Sequence, residues 1–206
     1  MRTAASWACI ARCTSPTIRA YYEKFYFTPG DLGFRVFDTR VGRIGTLVCW
    51  DQWYPEGARL TALQGAISCS TRRRSDGIRP RKTTHGAAQL DAWRTIQRSH
   101  AIANGVYVAA VNRVGHERPT AGADGLEFWG NSFLADPFGS VVAQAPAERE
   151  AVVCTSVNLA RIEEVRRGWP FLRDRRIDAY GGMVERFLDR ETSDIGRQQA
   201  PRTTDV

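Results

Sequence analysis

The chain has 206 residues, 43% of them hydrophobic and 25% charged, with a formal net charge of +7, which is length enough for one domain with a sizeable core and an ordinary soluble composition. No apolar run approaches the roughly 18 residues of a membrane span, and the N-terminus lacks the basic, apolar and small-residue order of a secretory leader, so a cytoplasmic protein without a membrane partner is expected. Five cysteines, an odd number with no repeating pattern, argue against a disulfide framework.

Residues 1–20 hold Arg2, Arg12 and Arg19 and no acid. Cys9 and Cys13 have a spacing that suits a metal, but no second Cys or His pair lies near to complete a site, so no metal is expected. Tyr26-Phe27-Thr28 leads to a turn at Pro29-Gly30-Asp31, and Phe34 to Phe37 alternates as a half-buried strand does. Arg43 to Val48 is apolar enough for a central strand. Pro55 suits a first helical turn, and Ala58, Leu60, Ala62 and Leu63 supply an apolar stripe until Gly65.

Residues 67–84 hold Arg72, Arg73, Arg74, Arg79, Arg81 and Lys82 against Asp76, a sum of +5; with the +3 of residues 1–20 this makes +8 and leaves −1 for the rest. The basicity is local. A nucleic-acid surface needs cations arranged on a fold, so no nucleic-acid partner is expected.

Leu90, Trp93, Ile96, Gln97, Ala101 and Asn104 predict a helix over 87–104 that stops at Asn104-Gly105. Val106 to Val111 is a strand ending at Asn112-Arg113. Residues 131–135 and 140–144 flank Asp136-Pro137-Phe138-Gly139 as a hairpin, Ala151 to Val157 reads as a last strand, and Leu159 to Arg167 as a short helix. The pattern predicts an α/β fold with a mixed sheet, one domain over 1–190, and a disordered polar tail over 191–206.

The run from Ile44 to Gly65 places Cys49 where a buried strand gives way to a helix. A thiol there is either packing or an exposed nucleophile. His100, beside apolar positions of the long helix, reads as a satisfied core histidine, and Trp50, Trp53 and Trp129 as core aromatics.

The block from Val41 to Ala66 resembles the nucleophile segment of the carbon–nitrogen hydrolase (nitrilase) superfamily, and CWDQWYPE is close to the form of its N-carbamoylputrescine-hydrolysing branch. Tyr21 to Asp31, His85 to Glu117, Phe128-Trp-Gly-Asn-Ser-Phe133, Trp169 and Arg173-Asp-Arg-Arg176 continue the similarity. The resemblance implies a four-layer αββα sandwich, here partial, and cleavage of an amide or carbamoyl bond through a cysteine thioester, without a cofactor. A thiolate attacks the carbonyl, a carboxylate shuttles the proton and a cation stabilises the oxyanion. The family uses a Cys, a Glu and a Lys for these tasks, with a second Glu near the lysine.

By this resemblance Cys49 matches the nucleophile and Glu23, 26 residues earlier, the second glutamate. Trp50 and Asp51 beside the nucleophile, and Glu117 after the strand ending at Asn112-Arg113, are further candidates; Asp51 suits either a substrate ammonium or the cap of the next turn. Arg12 occupies the lysine's position, and the shuttling glutamate, carried by relatives in a segment before the matched region, has no counterpart here. Relatives that hydrolyse N-carbamoyl amino acids grip the carboxylate with arginines where this chain has Gln52 and Trp53. An amine-ended small molecule is implied, N-carbamoylputrescine going to putrescine, carbon dioxide and ammonia in polyamine formation. Homo-oligomers are the family habit. The alternative is a non-catalytic remnant or binding module of the same fold, and with the lysine and shuttling glutamate unmatched the chain itself is expected to be inactive.

The two basic stretches have a common explanation in the genetic code. Residues 1–18 can be encoded so that reading two bases later gives AHRGFLGMYRKMHIPDD, which holds the family's GMYRKMHIPDD. The same shift over Ile67 to Lys82 gives LVFYPTAIGWHPAEK, similar to the family's segment after the nucleophile helix. Except at Arg and Ser, which have two codon families each, two bases of each shifted codon are fixed by the observed residues, so codon choice alone does not create the match. The reading frame is expected to be disturbed and restored at both stretches, by real lesions or by sequencing errors; resequencing that finds an intact frame coding for the present residues at both would refute this.

Overall fold

The computed structural model describes residues 17–18, 21–72, 76–117 and 126–189, with the backbone alone given for 17–18, 21–23, 68–72 and 76–85. The chain divides into two compact units, Met1–Leu172 and Arg173–Val206. The predicted tail over 191–206 lies outside the described residues. Within the second unit, two short 3-10 turns, Ile177–Ala179 and Gly181–Val184, accompany the exposed ion pair of Arg176 with Asp178 at 2.6 Å.

The described residues of the first unit begin with a two-residue ladder, β1 (Thr17–Ile18) and β2 (Tyr21–Tyr22), and a single helical turn, α1 (Glu23–Tyr26). A mixed sheet of six strands follows: β3 (Val36–Thr39), β4 (Gly42–Val48), β5 (Ser68–Arg72), β7 (Tyr107–Val111), β10 (Phe133–Ala135) and β11 (Val141–Gln144). Their order is β11-β10-β7-β5-β4-β3, with β4, β5 and β7 parallel in the centre and antiparallel hairpins outside. A second sheet joins β6 (Asp76–Ile78), β9 (Leu126–Phe128) and β8 (His116–Glu117).

Two helices, α2 (Pro55–Leu63) and α3 (Arg79–Asn104), pack side by side on the large sheet. Alternation along β4 turns Gly45 and Leu47 toward them and leaves Ile44, Thr46 and Val48 half-buried on the other face. The core joins Leu47, Ala58, Ala62, Trp93, Ala101, Val108, Ala110 and Phe133.

α2 starts with Pro55 in its first turn, as expected, but its buried face differs from the predicted stripe. Gly57, Ala58, Thr61 and Ala62 face the sheet, while Leu60 and Leu63 are 45% and 52% exposed. Size decides this. A methyl group at Gly45 would lie 2.7 Å from Thr61, and one at Gly57 2.7 Å from Phe34, so the helix approaches β4 through its small residues and turns its leucines outward.

α3 begins eight residues before the predicted start. Trp93, Gln97, His100, Ala101 and Asn104 form its buried stripe, and Gly105 at φ 55 closes it, with Val106 N–H on the Ala101 carbonyl at 3.2 Å. The hairpin turn at 136–139 is also as read: Asp136 Oδ1 accepts from the N–H groups of Phe138 and Ser140, both at 2.9 Å. The predicted short helix is α4 (Ala160–Gly168), buried through Ile162 and Val165. The predicted strand over Ala151–Val157 is a correction. Those residues carry no ladder, and Val152 is 90% exposed; the apolar run is there, but a strand needs a neighbour to pair with.

Candidate active site

The three parallel strands end level with one another, since Val48 pairs with Arg72 and Arg72 with Val111. Cys49 follows Val48 at this carboxyl-end edge, where open α/β sheets place their ligands. Asn112 and Arg113 leave the same edge two strands away, and β10, antiparallel to β7 with Phe133 opposite Ala110, brings Gly130 to Ser132 back to it. Two strand spacings separate the two groups by about 10 Å.

Cys49 is half-buried and has φ 55, a left-handed conformation that costs a non-glycine residue about 1–2 kcal/mol. It opens a 3-10 turn over Cys49–Trp53 that precedes α2. The chain thus turns sharply between strand and helix, and the thiol is carried at the corner.

Beneath the corner lies a polar cluster. Gln52, fully buried, donates from Nε2 to the Cys49 carbonyl at 2.6 Å. Its Oε1 accepts from Trp93 Nε1 at 3.0 Å and Gln97 Nε2 at 3.3 Å, and its backbone carbonyl accepts from Gln97 Nε2 at 3.2 Å and His100 Nε2 at 2.8 Å. An amide left buried without these partners would cost about 1–3 kcal/mol. Three residues of α3 therefore grip the turn that carries Cys49 through one glutamine.

Burial lowers the His100 pKa from 6.5, against weaker opposing pulls from the Gln52 carbonyl and Glu56. The ring is neutral, and because a carbonyl has no proton to give, Nε2 carries the hydrogen. The unfolded chain takes up this proton first as the pH falls. The contribution of His100 is therefore complete above pH 6.5 and is lost as the pH drops through that value toward the lower folded pKa. In a His100→Gln protein, which keeps a donor at similar reach, urea midpoints taken on either side of pH 6.5 are expected to differ less than in the native chain; an equal difference would contradict the burial of a neutral imidazole.

The other predicted residues are placed unevenly. Glu23 opens α1, with its side chain outside the described set, and Arg12 lies outside the described residues altogether. Trp50 and Trp53 are half-buried and meet edge to face at 6.4 Å, whereas Trp129 is buried. Asp51 is 2% exposed, and no side-chain cap closes the 3-10 turn or α2, whose N-cap is Tyr54. Glu117 pairs with Arg113, whose guanidinium lies 4.3 Å from the centre of the Phe128 ring. The sequence marks Gln52 only as a residue unable to hold a carboxylate and does not connect it to His100; the polar residues Gln97, His100 and Asn104 at helical spacing with Trp93 and Ala101 are the available signal.

A second latch completes the edge. Asn112 Nδ2 donates to the Gly130 carbonyl at 2.9 Å, Gly130 N–H to the Arg113 carbonyl at 2.8 Å, and Asn112 N–H to Ser132 Oγ at 2.9 Å. Gly130 and Asn131 both have positive φ, 56 and 58. The loop is held against the end of β7 by bonds on either side of its turn.

The family model for carbon-nitrogen hydrolases matches residues 10–167. The chain belongs to the carbon-nitrogen hydrolase family. Among curated relatives, this chain is similar to N-carbamoylputrescine amidase of Solanum tuberosum, at 42% identity over 168 residues, and to that of Arabidopsis thaliana, at 43% identity over 162 residues, each alignment covering 78% of this chain and 53% of the relative. It spans about half the length of the curated relatives it matches. A crystal structure of a carbon-nitrogen hydrolase from Helicobacter pylori superposes with a TM-score of 0.82 at 45% identity, over 86% of this chain and 61% of that one. The α/β fold is thus that of the nitrilase superfamily, and Cys49 with its whole turn lies inside the matched region. No helix among the described residues is long and apolar enough to cross a membrane.

Proposed function

We propose that this chain carries the nucleophile portion of an amidase acting on N-carbamoyl amines, with N-carbamoylputrescine as substrate. The single observation that carries the reading is a half-buried cysteine held left-handed at the carboxyl end of a central parallel strand. In this reading the Cys49 thiolate attacks the ureido carbonyl and ammonia leaves with a proton. Water then cleaves the carbamoyl thioester, and the released carbamate loses carbon dioxide to give putrescine.

The amine-ended substrate is supported by the turn itself. Gln52 is buried and engaged with α3 through both its side chain and its carbonyl, which leaves it no group for a substrate carboxylate, and Trp53 carries no cation. The names of the relatives, N-carbamoylputrescine amidases, agree with this.

The second reading, a non-catalytic remnant, rests on Arg12 in the lysine's position. We infer that the 206-residue chain holds the thiol without turning over. Loss of one oxyanion-stabilising group costs about 100- to 1,000-fold. Ammonia release from N-carbamoylputrescine is therefore expected to fall at least that far below the rate of an amidase of full family length measured alongside. Turnover near that of the reference and abolished by Cys49→Ala would overturn the inactivity and support the amidase reading; comparable turnover that survives Cys49→Ala would overturn both.

A further inference from the structure

Cys49 lies between two anchors. On one side Val48, extended at φ −107 and ψ 115, is fixed by the parallel ladder to β5. On the other side Gln52 is tied to α3 by Trp93, Gln97 and His100. Rotation about the N–Cα bond of Cys49 swings every atom beyond it, including the Cys49 carbonyl that accepts from Gln52 Nε2. A relaxed φ at Cys49 would therefore pull Gln52 off its donors or strip the last ladder pair from β4.

We propose that Trp93, Gln97 and His100 are positioning residues that act through Gln52 to impose the left-handed conformation of Cys49. The clamp is specific in its chemistry. All the donors belong to one stripe of one helix, Gln52 meets them with both its side-chain and its backbone oxygen, and its remaining amide group returns to the nucleophile's own carbonyl. It adds to the reading of Cys49 as nucleophile the residues that aim the thiol, and it rests on that reading for its purpose alone. The conformational coupling holds or fails independently of turnover.

The test compares Cys49→Gly with Cys49→Ala in three backgrounds: native His100, His100→Leu and His100→Gln. Glycine is favoured over alanine only where φ is held positive. With native His100, glycine at 49 is expected to raise Tm over alanine by about 2–4 °C, the shift typical for a chain of this size. His100→Gln restores a donor of similar reach and should keep that advantage, whereas His100→Leu should abolish or reverse it. A merely structural role for His100 would lower all Tm values and leave the glycine advantage unchanged, and that result overturns the proposal. Should His100→Leu not fold, Trp93→Phe, which removes one donor while keeping an aromatic ring, is read in the same way, with a reduced advantage expected and an unchanged one overturning the clamp.

Discussion

A Trp93→Ala protein is expected to lose about 3–5 kcal/mol of stability, the cost of emptying a large aromatic site in a closed core. Trp93 has no exposed surface and meets Phe133 edge to face at 5.6 Å, so its ring joins α3 to β10 across the sheet. It also donates to Gln52 Oε1 at 3.0 Å. Alanine opens the cavity and halves the donors on that oxygen at once. Set against the about 5–15 kcal/mol that holds a typical domain, the loss leaves the chain near its folding threshold. Urea titration followed by circular dichroism measures it. Trp93→Phe separates the two contributions, since it keeps most of the packing and removes the donor; a Trp93→Ala loss below about 1 kcal/mol would mean the ring is not core.

Gly130→Ala is the second large effect, and its origin is backbone rather than side chain. A methyl group at Gly130 would lie 2.3 Å from the Ala147 carbonyl oxygen and 2.8 Å from its carbon. Those atoms cannot turn away as a side chain can. Together with φ 56, this is expected to cost about 3 kcal/mol. Gly33 supplies the control: it has φ 65, but a methyl group added there would meet nothing within 4 Å, so Gly33→Ala should show the conformational part alone, about 1 kcal/mol. Because Gly130 bonds to both Asn112 and Arg113, the damage falls on the edge that carries Cys49. Equal losses for the two variants, measured by urea midpoint, would refute the clash.

What the sequence made legible was set by local pattern. Pro55, the apolar run to Val48, the helix stop at Gly105 and the Asp136 turn each depend on residues within a few positions of one another, and each appears in the structure. The outward leucines of α2 were not legible, because hydrophobicity favoured Leu60 and Leu63 while the close approach of Gly45 to Thr61 favoured the small face. The candidate site divides the same way. Cys49 at a strand end could be read from its neighbours, but the partners of Gln52 are 41 to 48 residues away on α3, and nothing local marks such a pair. The exposed run at 151–157 failed for the opposite reason: its apolar pattern was local, and the ladder that would make it a strand is not.

The sheet order also bears on the expected sequence of assembly. The outer pairs β3–β4 and β10–β11 are hairpins closed by short turns, and short loops close at little entropic cost. The central joint is different: β5 must reach β7 across the whole length of α3, a contact of long sequence separation that forms slowly. A newly made chain is therefore expected to close its outer hairpins before its central parallel joint, an order that hydrogen-exchange labelling during refolding would check. The edge holding Cys49 is level with that middle, so the thiol stays on an unfinished surface until the parallel strands close, and the interval before closure is when the chain is most open to oxidation at this sulfur and to wrong pairing along β4.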